Sequence, residues 1–207
     1  MTLKDRKAAQ PVTRGKLDVM DATATRLDRR LRARDLDDLP HEWDTRYELI
    51  GGVLHMSKRP SFEHQDFLGR LLARMAPAVF EVGGRIVQEP GLVWDDDGED
   101  NVVPDLAVLL GVPPPPRREK LRTCPDIVVE VLSEGESNRT RDLVDKRNLY
   151  RRRGALEYWI VDLAARSLLR LIRTADAWDE EQLSASDCLA TPLLPRWEGV
   201  LLGDLFA

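Results

Sequence analysis

Two runs of this chain are almost entirely apolar around a single carboxylate: Val102 to Leu110 around Asp105, and Ile127 to Leu132 around Glu130. Apolar runs of this kind read as strands covered on both faces, which places them in the middle of a layered sheet. A lone ionised carboxylate in such a strand costs several kcal/mol out of water, and Val or Ile would ordinarily stand there. Alternation puts Val103, Asp105 and Ala107 on one face of the first strand, and Val128, Glu130 and Leu132 on one face of the second. If the strands are neighbours, about 4.8 Å apart, both carboxylates can point at one cation. The alternative is that each is neutralised by an arginine or reaches water at a strand end. A second Pro-Asp, Pro125-Asp126, competes for the same part. At roughly 3.3 Å per residue Asp126 lies about 13 Å from Glu130, too far to share one ion, so it reads as a strand-entry residue bonding local backbone.

Around these strands the pattern predicts a mixed α+β fold. A short helix runs from Arg34 to Leu39 and stops at Pro40, and strands Tyr47 to Ile50 and Val53 to Ser57 are joined by Gly51-Gly52, a hairpin signal. Ser61 can cap a helix with Phe67, Leu68, Leu71, Leu72 and Met75 at helical spacing, ending near Pro77 or a turn later. Short strands follow at Arg85 to Glu89 and Leu92 to Trp94. A second long helix spans about Ser137 to Arg153, closed by Gly154, and Tyr158 to Asp162, Leu168 to Arg173 and Trp178 to Leu183 suggest a meander.

Composition narrows the chemistry. The 207 residues are 43% hydrophobic, enough for one domain-sized core, and 31 basic against 36 acidic residues leave a net charge of -5. A polyanion partner therefore needs a local basic patch or a bridging cation. No window approaches the roughly 18 apolar residues of a membrane span, and the N-terminus has charge without an apolar segment behind it, so a cytoplasmic protein is expected. Residues 1–32 read as a charged extension and 33–207 as the folded domain. Cys124 and Cys188 form no metal or redox pattern, His41, His55 and His64 show no ligand spacing, and no nucleophile elbow, phosphate loop or dinucleotide fingerprint is present. His64, at the start of the first long helix, could face the acidic cluster, but a capping or packing role is the simpler expectation.

Lysine is used 6 times and arginine 25 times, and Lys146 is the sole lysine after position 121. A compact ammonium group where arginine is the habit suits holding a water or a phosphate oxygen near a metal. Asp142 lies four residues earlier on the same helix face, and the alternative is an ordinary surface ion pair between the two. Arg117-Arg118, Arg139, Arg141, Arg147 and Arg151 to Arg153 are candidate phosphate contacts.

The segments YELIGGVLHMS, HQDFLGRLLARM, VVPDLAVLL, CPDIVVEVLSEGESNRTRDLVDKRNLYRRRGALEYWIVDL and GDLFA resemble the Uma-two family, described as bacterial restriction endonucleases of the PD-(D/E)XK superfamily. The resemblance covers roughly residues 33–207. It implies a restriction-endonuclease-like core, a mixed central sheet flanked by helices with an added β meander. It implies a Mg2+-dependent endonuclease acting on DNA, with Mn2+ as substitute ion. Carried across position by position, Asp105 matches the Pro-Asp aspartate, Glu130 the acidic residue of the (D/E)XK element, and Glu48 an early glutamate that can add a metal contact. Asp142 would orient Lys146. The superfamily's lysine two residues after the glutamate is replaced here by Leu132, and the resemblance implies that Lys146 supplies that ammonium group from the helix. Gly51 stands where relatives tend to have Asp. A homodimer would suit cutting both strands. The rival expectation is a catalytically silent domain that keeps the fold to bind nucleic acid or a protein partner. Deleting residues 1–30 should leave the melting temperature within a few degrees of the full chain, checked by scanning calorimetry.

Overall fold

The chain is described by a computed structural model covering residues 30–40, 42–133, 135–175 and 177–206. Most of the expected extension, residues 1–29, lies outside the described residues. Leu31 and Ala33 are buried, and the Leu31 amide donates to the Gly52 carbonyl.

The short helix expected near residue 34 is a 3-10 turn, Ala33–Asp38. β1 (Thr45–Ile50) and β2 (Val53–Lys58) form the expected hairpin. Gly51 and Gly52 both have positive φ, 57° and 77°, as a tight two-residue hairpin turn of the primed type requires. The Ser61 hydroxyl accepts from the His64 amide and starts α1 (Phe62–Glu81), which runs through Pro77 and ends one turn later. β3 (Arg85–Gln88), β4 (Leu92–Val93), β5 (Asn101–Val102), β6 (Leu106–Leu109) and β7 (Ile127–Val131) follow. The second helical segment is α2 (Glu136–Thr140), a π-helical turn (Arg141–Lys146) and α3 (Arg147–Arg153), closed by Gly154 at φ 99°. β8 (Glu157–Asp162), β9 (Ser167–Arg173) and β10 (Trp178–Ser184) form the antiparallel meander, and β11 (Cys188–Leu189) with β12 (Val200–Leu201) makes a small ribbon.

A six-stranded mixed sheet in the order β10-β9-β8-β7-β6-β3 forms the centre, beside a four-stranded sheet in the order β2-β1-β5-β4. One face of the larger sheet buries Val108, Ile127, Val129 and Trp159 against Phe67, Leu68, Leu71 and Met75 of α1. The other face buries Val128, Tyr158 and Ile160 against Leu149 and Tyr150 of α3 and against Ile50, Leu92 and Val102 of the smaller sheet. Trp159 packs within the sheet, as its strand context implies. Among the described residues no helix is long and apolar enough to cross a membrane.

The run from Val102 to Leu110 is not one strand. It breaks at Val103-Pro104-Asp105, with β5 in the smaller sheet and β6 in the larger. Pro104 has no amide hydrogen to give to a ladder, so the chain changes sheets there. Asp105 thus stands at the entry to β6 rather than in mid-strand. β6 pairs antiparallel with β7, Leu106 opposite Val129, and continuing that register sets Asp105 opposite Glu130. Asp126 does bond local backbone: its Oδ2 accepts from the Leu110 amide at 2.6 Å. Leu71→Ala, which hollows the contact between α1 and the sheet, should cost about 2–5 kcal/mol in guanidinium unfolding. Phe62→Ala, at a side chain 87% exposed, should cost under about 0.5 kcal/mol.

Candidate active site

Burial of a lysine ammonium sets the geometry. Lys146 is wholly buried, and its Nζ lies 2.8 Å from Glu130 Oε1 and 2.9 Å from Glu48 Oε1, with Asp142 Oδ1 at 3.8 Å. Each carboxylate is itself anchored. Glu130 Oε1 also accepts from the Tyr150 hydroxyl at 3.0 Å, and Glu48 Oε1 accepts from the Val103 amide at 2.8 Å. Arg141 donates through Nε and Nη2 to both oxygens of Asp142, at 2.8 and 3.1 Å, and its Nη1 lies 3.7 Å from Glu48 Oε2. The Tyr158 hydroxyl donates to the Asp142 carbonyl at 2.9 Å. The surface ion pair that spacing alone allowed for Asp142 and Lys146 is excluded, since both are fully buried.

Asp105 forms the other half. Its Oδ2 accepts from the Val131 amide at 2.9 Å, and its Oδ1 faces Arg46 Nη1 at 3.2 Å. His64 Nε2 lies 3.2 Å from Asp105 Oδ2, yet that buried nitrogen has no hydrogen-bond partner. Arg46 also pairs with Glu89, whose φ of 48° is in the left-handed region that a non-glycine residue seldom adopts. With a side chain 20% exposed, Arg46 closes the cluster on the solvent side.

The electrostatics follow from this crowding. Burial, against the pull of Lys146 and reinforced by Asp105, Asp142 and Glu48, pushes Glu130 up to about 8. Asp105 goes the other way: burial would raise it, but the nearby His64 ring, Lys146 and the Val131 amide hold it at about 2. Glu48 is held below the usual carboxylate range because Lys146, Arg141 and the Val103 amide outweigh its burial. Lys146 is raised despite its burial by Glu130, Glu48 and Asp142, so it stays protonated. Burial pushes the Cys124 thiol up to about 12, which removes it as a nucleophile.

Glu48, Asp105, Glu130, Asp142 and Lys146 therefore come together in one buried cluster. Arg46 and Tyr150, which were not singled out for this part from sequence, join them, and so does His64, whose place facing the acidic cluster was the lesser of its two expectations. Several arginines expected at phosphate are instead engaged with acids: Arg139 with Asp162, Arg147 with Glu180, Arg153 with Asp100, and Arg141 within the cluster. The acidic surplus of the chain supplies a partner near each.

Among the described residues no three histidine, cysteine, aspartate or glutamate side chains are gathered as a ready metal site. The donor chemistry nevertheless fits Mg2+, which binds through one or two carboxylates and keeps several waters. Asp105 and Glu130 supply hard oxygen donors, and the burial that raises Glu130, reinforced by the carboxylates around it, is a penalty on its charged form that a divalent cation relieves.

The sequence matches the family Uma2, described as "Putative restriction endonuclease", over residues 33–202. The chain belongs to the Uma2 family. A crystal structure described as "a putative nuclease belonging to DUF820", from Anabaena variabilis, is similar with a TM-score of 0.68 at 17% identity, covering 85% of this chain and 97% of that one. At that identity the likeness concerns the fold, and it agrees with the mixed sheet flanked by helices seen in this Uma2 protein. A comparison with curated proteins finds no match.

Lys146→Met should lower stability at neutral pH by about 3–5 kcal/mol, because a buried ion pair loses one partner. Without the ammonium, Glu48 and Glu130 are raised in the folded chain relative to the unfolded one, so the folded state takes up protons first as pH falls. The deficit against wild type should therefore shrink between pH 7.5 and 5 in guanidinium unfolding. In the wild type Asp105 works in the opposite sense. Its contribution is complete above about pH 4 and is lost as pH falls toward its folded value of about 2.

Proposed function

We propose that this chain is a divalent-metal-dependent endonuclease that hydrolyses phosphodiester bonds in DNA. The observation that carries the reading is the burial of Asp105, at the entry to β6, and Glu130, on the neighbouring β7, in one cluster with the ammonium of Lys146, which lies 2.8 Å from Glu130. Asp105 and Glu130 would hold Mg2+, with Mn2+ as substitute. When bound, that ion supplies charge neutralisation to a phosphate oxygen and acidifies water.

The remaining work belongs to the side chains. Lys146 keeps its proton and so serves as a hydrogen-bond donor and fixed positive charge, not as a base. Glu48 and Asp142 hold it from two sides, which fixes its position at no cost during a reaction. A metal contact from Glu48 would require Arg141 to yield its 3.7 Å approach to Glu48 Oε2. Arg46, the most exposed cation of the cluster, is the first to meet an entering phosphate. A homodimer would let two such sites address both strands.

One observation favours the alternative of a silent domain that binds nucleic acid or a protein: both carboxylates already face internal cations, Arg46 and Lys146. Titration of Mn2+ into wild type and Asp105→Asn by calorimetry, followed by plasmid cleavage in the same buffer, separates the two. The nuclease reading expects binding and metal-dependent nicking by wild type and loss of both in the variant. An absence of binding in wild type would leave the recognition domain.

A further inference from the structure

Trp43 and Phe62 are the two most exposed large apolar side chains among the described residues, 80% and 87% open to solvent. Neither belongs to a hydrophobic cluster, so the core does not account for them. Both stand at the rim of the buried charge cluster. Phe62 is the first residue of α1, and Gln65 is its neighbour one turn on along the helix surface. Gln65 approaches Glu89 Oε1 at 3.5 Å, the oxygen that also takes Arg46. Trp43 precedes β1, and its carbonyl accepts from Arg59 Nε. Arg59 and Phe62 are at most about 11 Å apart along the chain, so the two aromatic residues border the same edge of the site, where Arg46 reaches Asp105.

An open aromatic ring keeps apolar surface in water, which is unfavourable until the ring finds something flat to lie against. Charge does not explain this edge: Arg46 and Arg59 are matched nearby by Glu42, Glu63 and Glu89, so a polyanion gains little here from phosphate contacts alone. Stacking needs no net charge, and every base has a π-face to offer. In a duplex those faces are covered by neighbouring bases, and only base edges show in the grooves. Depth points the same way. Asp105, Glu130 and Lys146 are 4%, 2% and 0% exposed, so a phosphate has to bend inward to meet them. Duplex DNA resists such bending, with a persistence length of about 50 nm, whereas an unpaired strand follows a groove.

We infer that Trp43 and Phe62 form a stacking platform for unpaired bases, and that the substrate class is single-stranded or locally unpaired DNA. The inference rests on the DNA-cleaving reading above and specifies its substrate. Fluorescence anisotropy of a labelled oligothymidylate and of a labelled duplex of equal length, both in EDTA at low salt, measures binding apart from cleavage. It is run on the full chain and on Trp43→Ala, Phe62→Ala and Phe80→Ala, the last being the control because Phe80 is 62% exposed at the far end of α1. Wild type should bind the single strand about tenfold or more tightly than the duplex. Trp43→Ala and Phe62→Ala should each weaken single-strand binding about fivefold to a hundredfold, and Phe80→Ala less than about twofold. Tryptophan emission should be quenched by the oligothymidylate in wild type, with the quenching largely lost in Trp43→Ala. Circular dichroism verifies that the variants fold, and should an alanine variant not fold, Trp43→Leu or Phe62→Leu, which keeps apolar bulk without a π-face, takes its place. Equal affinity for strand and duplex, no binding of either, or single-strand binding untouched in both variants would overturn the inference. Self-association in sedimentation velocity that these variants abolish, with single-strand binding unchanged, would assign the patch to a second copy of the chain instead. Metal-dependent plasmid cleavage without single-strand preference would leave the nuclease reading standing and remove the platform. Single-strand preference that the variants lose, without cleavage of either DNA, would keep the platform and overturn the nuclease reading.

Discussion

The ammonium of Lys146 has no solvent on any side, and removing it from water costs several kcal/mol that only close opposite charge can offset. The offsetting carboxylates come from different parts of the fold: Glu48 from the smaller sheet, Glu130 from the larger, and Asp142 from the helical segment that covers them. None of the three could be buried alone. The two sheets and the helix are consequently tied at one point by charge, with Val103, Arg141 and Tyr150 engaging the remaining lone pairs. The helical segment departs from α geometry where it supplies Arg141, Asp142 and Lys146. Wide π turns are uncommon and concentrate at functional sites, and here the widened turn is the one that carries two of the cluster's three cations, Arg141 and Lys146.

The parts of this site that were legible in sequence are those whose placement is improbable on energetic grounds. Asp105 and Glu130 stood out because a carboxylate in an apolar run is costly, and Lys146 because the chain after position 121 otherwise uses arginine. Arg46 gave no such signal, and His64 gave only its position at the start of the first long helix. Their meaning depends on Asp105, which lies 59 residues from Arg46, and only the crossing of the chain from one sheet to the other brings them together. Arg141 was read as a candidate phosphate contact because exposure is the ordinary state of arginine. The strand break at Pro104 was visible as a residue without an amide hydrogen, but apolar continuity outweighed it. The π turn was not legible, since six residues are too few for hydrophobic spacing to separate one helical period from another.

Charge pairing also governs how a polyanion could approach. With acidic residues in excess, many arginines are spent on internal or surface pairs, so the long-range attraction that draws basic proteins to nucleic acid is weak here. Attraction has to be local. Arg46 is placed for it, spanning Asp105 inside and Glu89 at the rim, where the backbone of Glu89 is held in an unusual conformation. Such a residue persists only when its surroundings impose it, and the Glu89 amide bond to the Asp105 carbonyl is one of the restraints.

The charge inventory makes a particular exchange reasonable. Glu48, Asp105, Glu130 and Asp142 face three permanent cations, Lys146, Arg141 and Arg46. Lys146 and Arg141 are locked by burial and by several partners each, whereas Arg46 is partly exposed and faces Asp105 at the longer distance of 3.2 Å. If Arg46 turns outward to a phosphate, the four carboxylates retain two positive partners, and once Glu130 gives up its proton the uncompensated charge equals that of one divalent ion. On the metal-dependent reading the same movement would then uncover Asp105 for the cation and carry a guanidinium to the substrate, so that entry of metal and entry of phosphate favour one another.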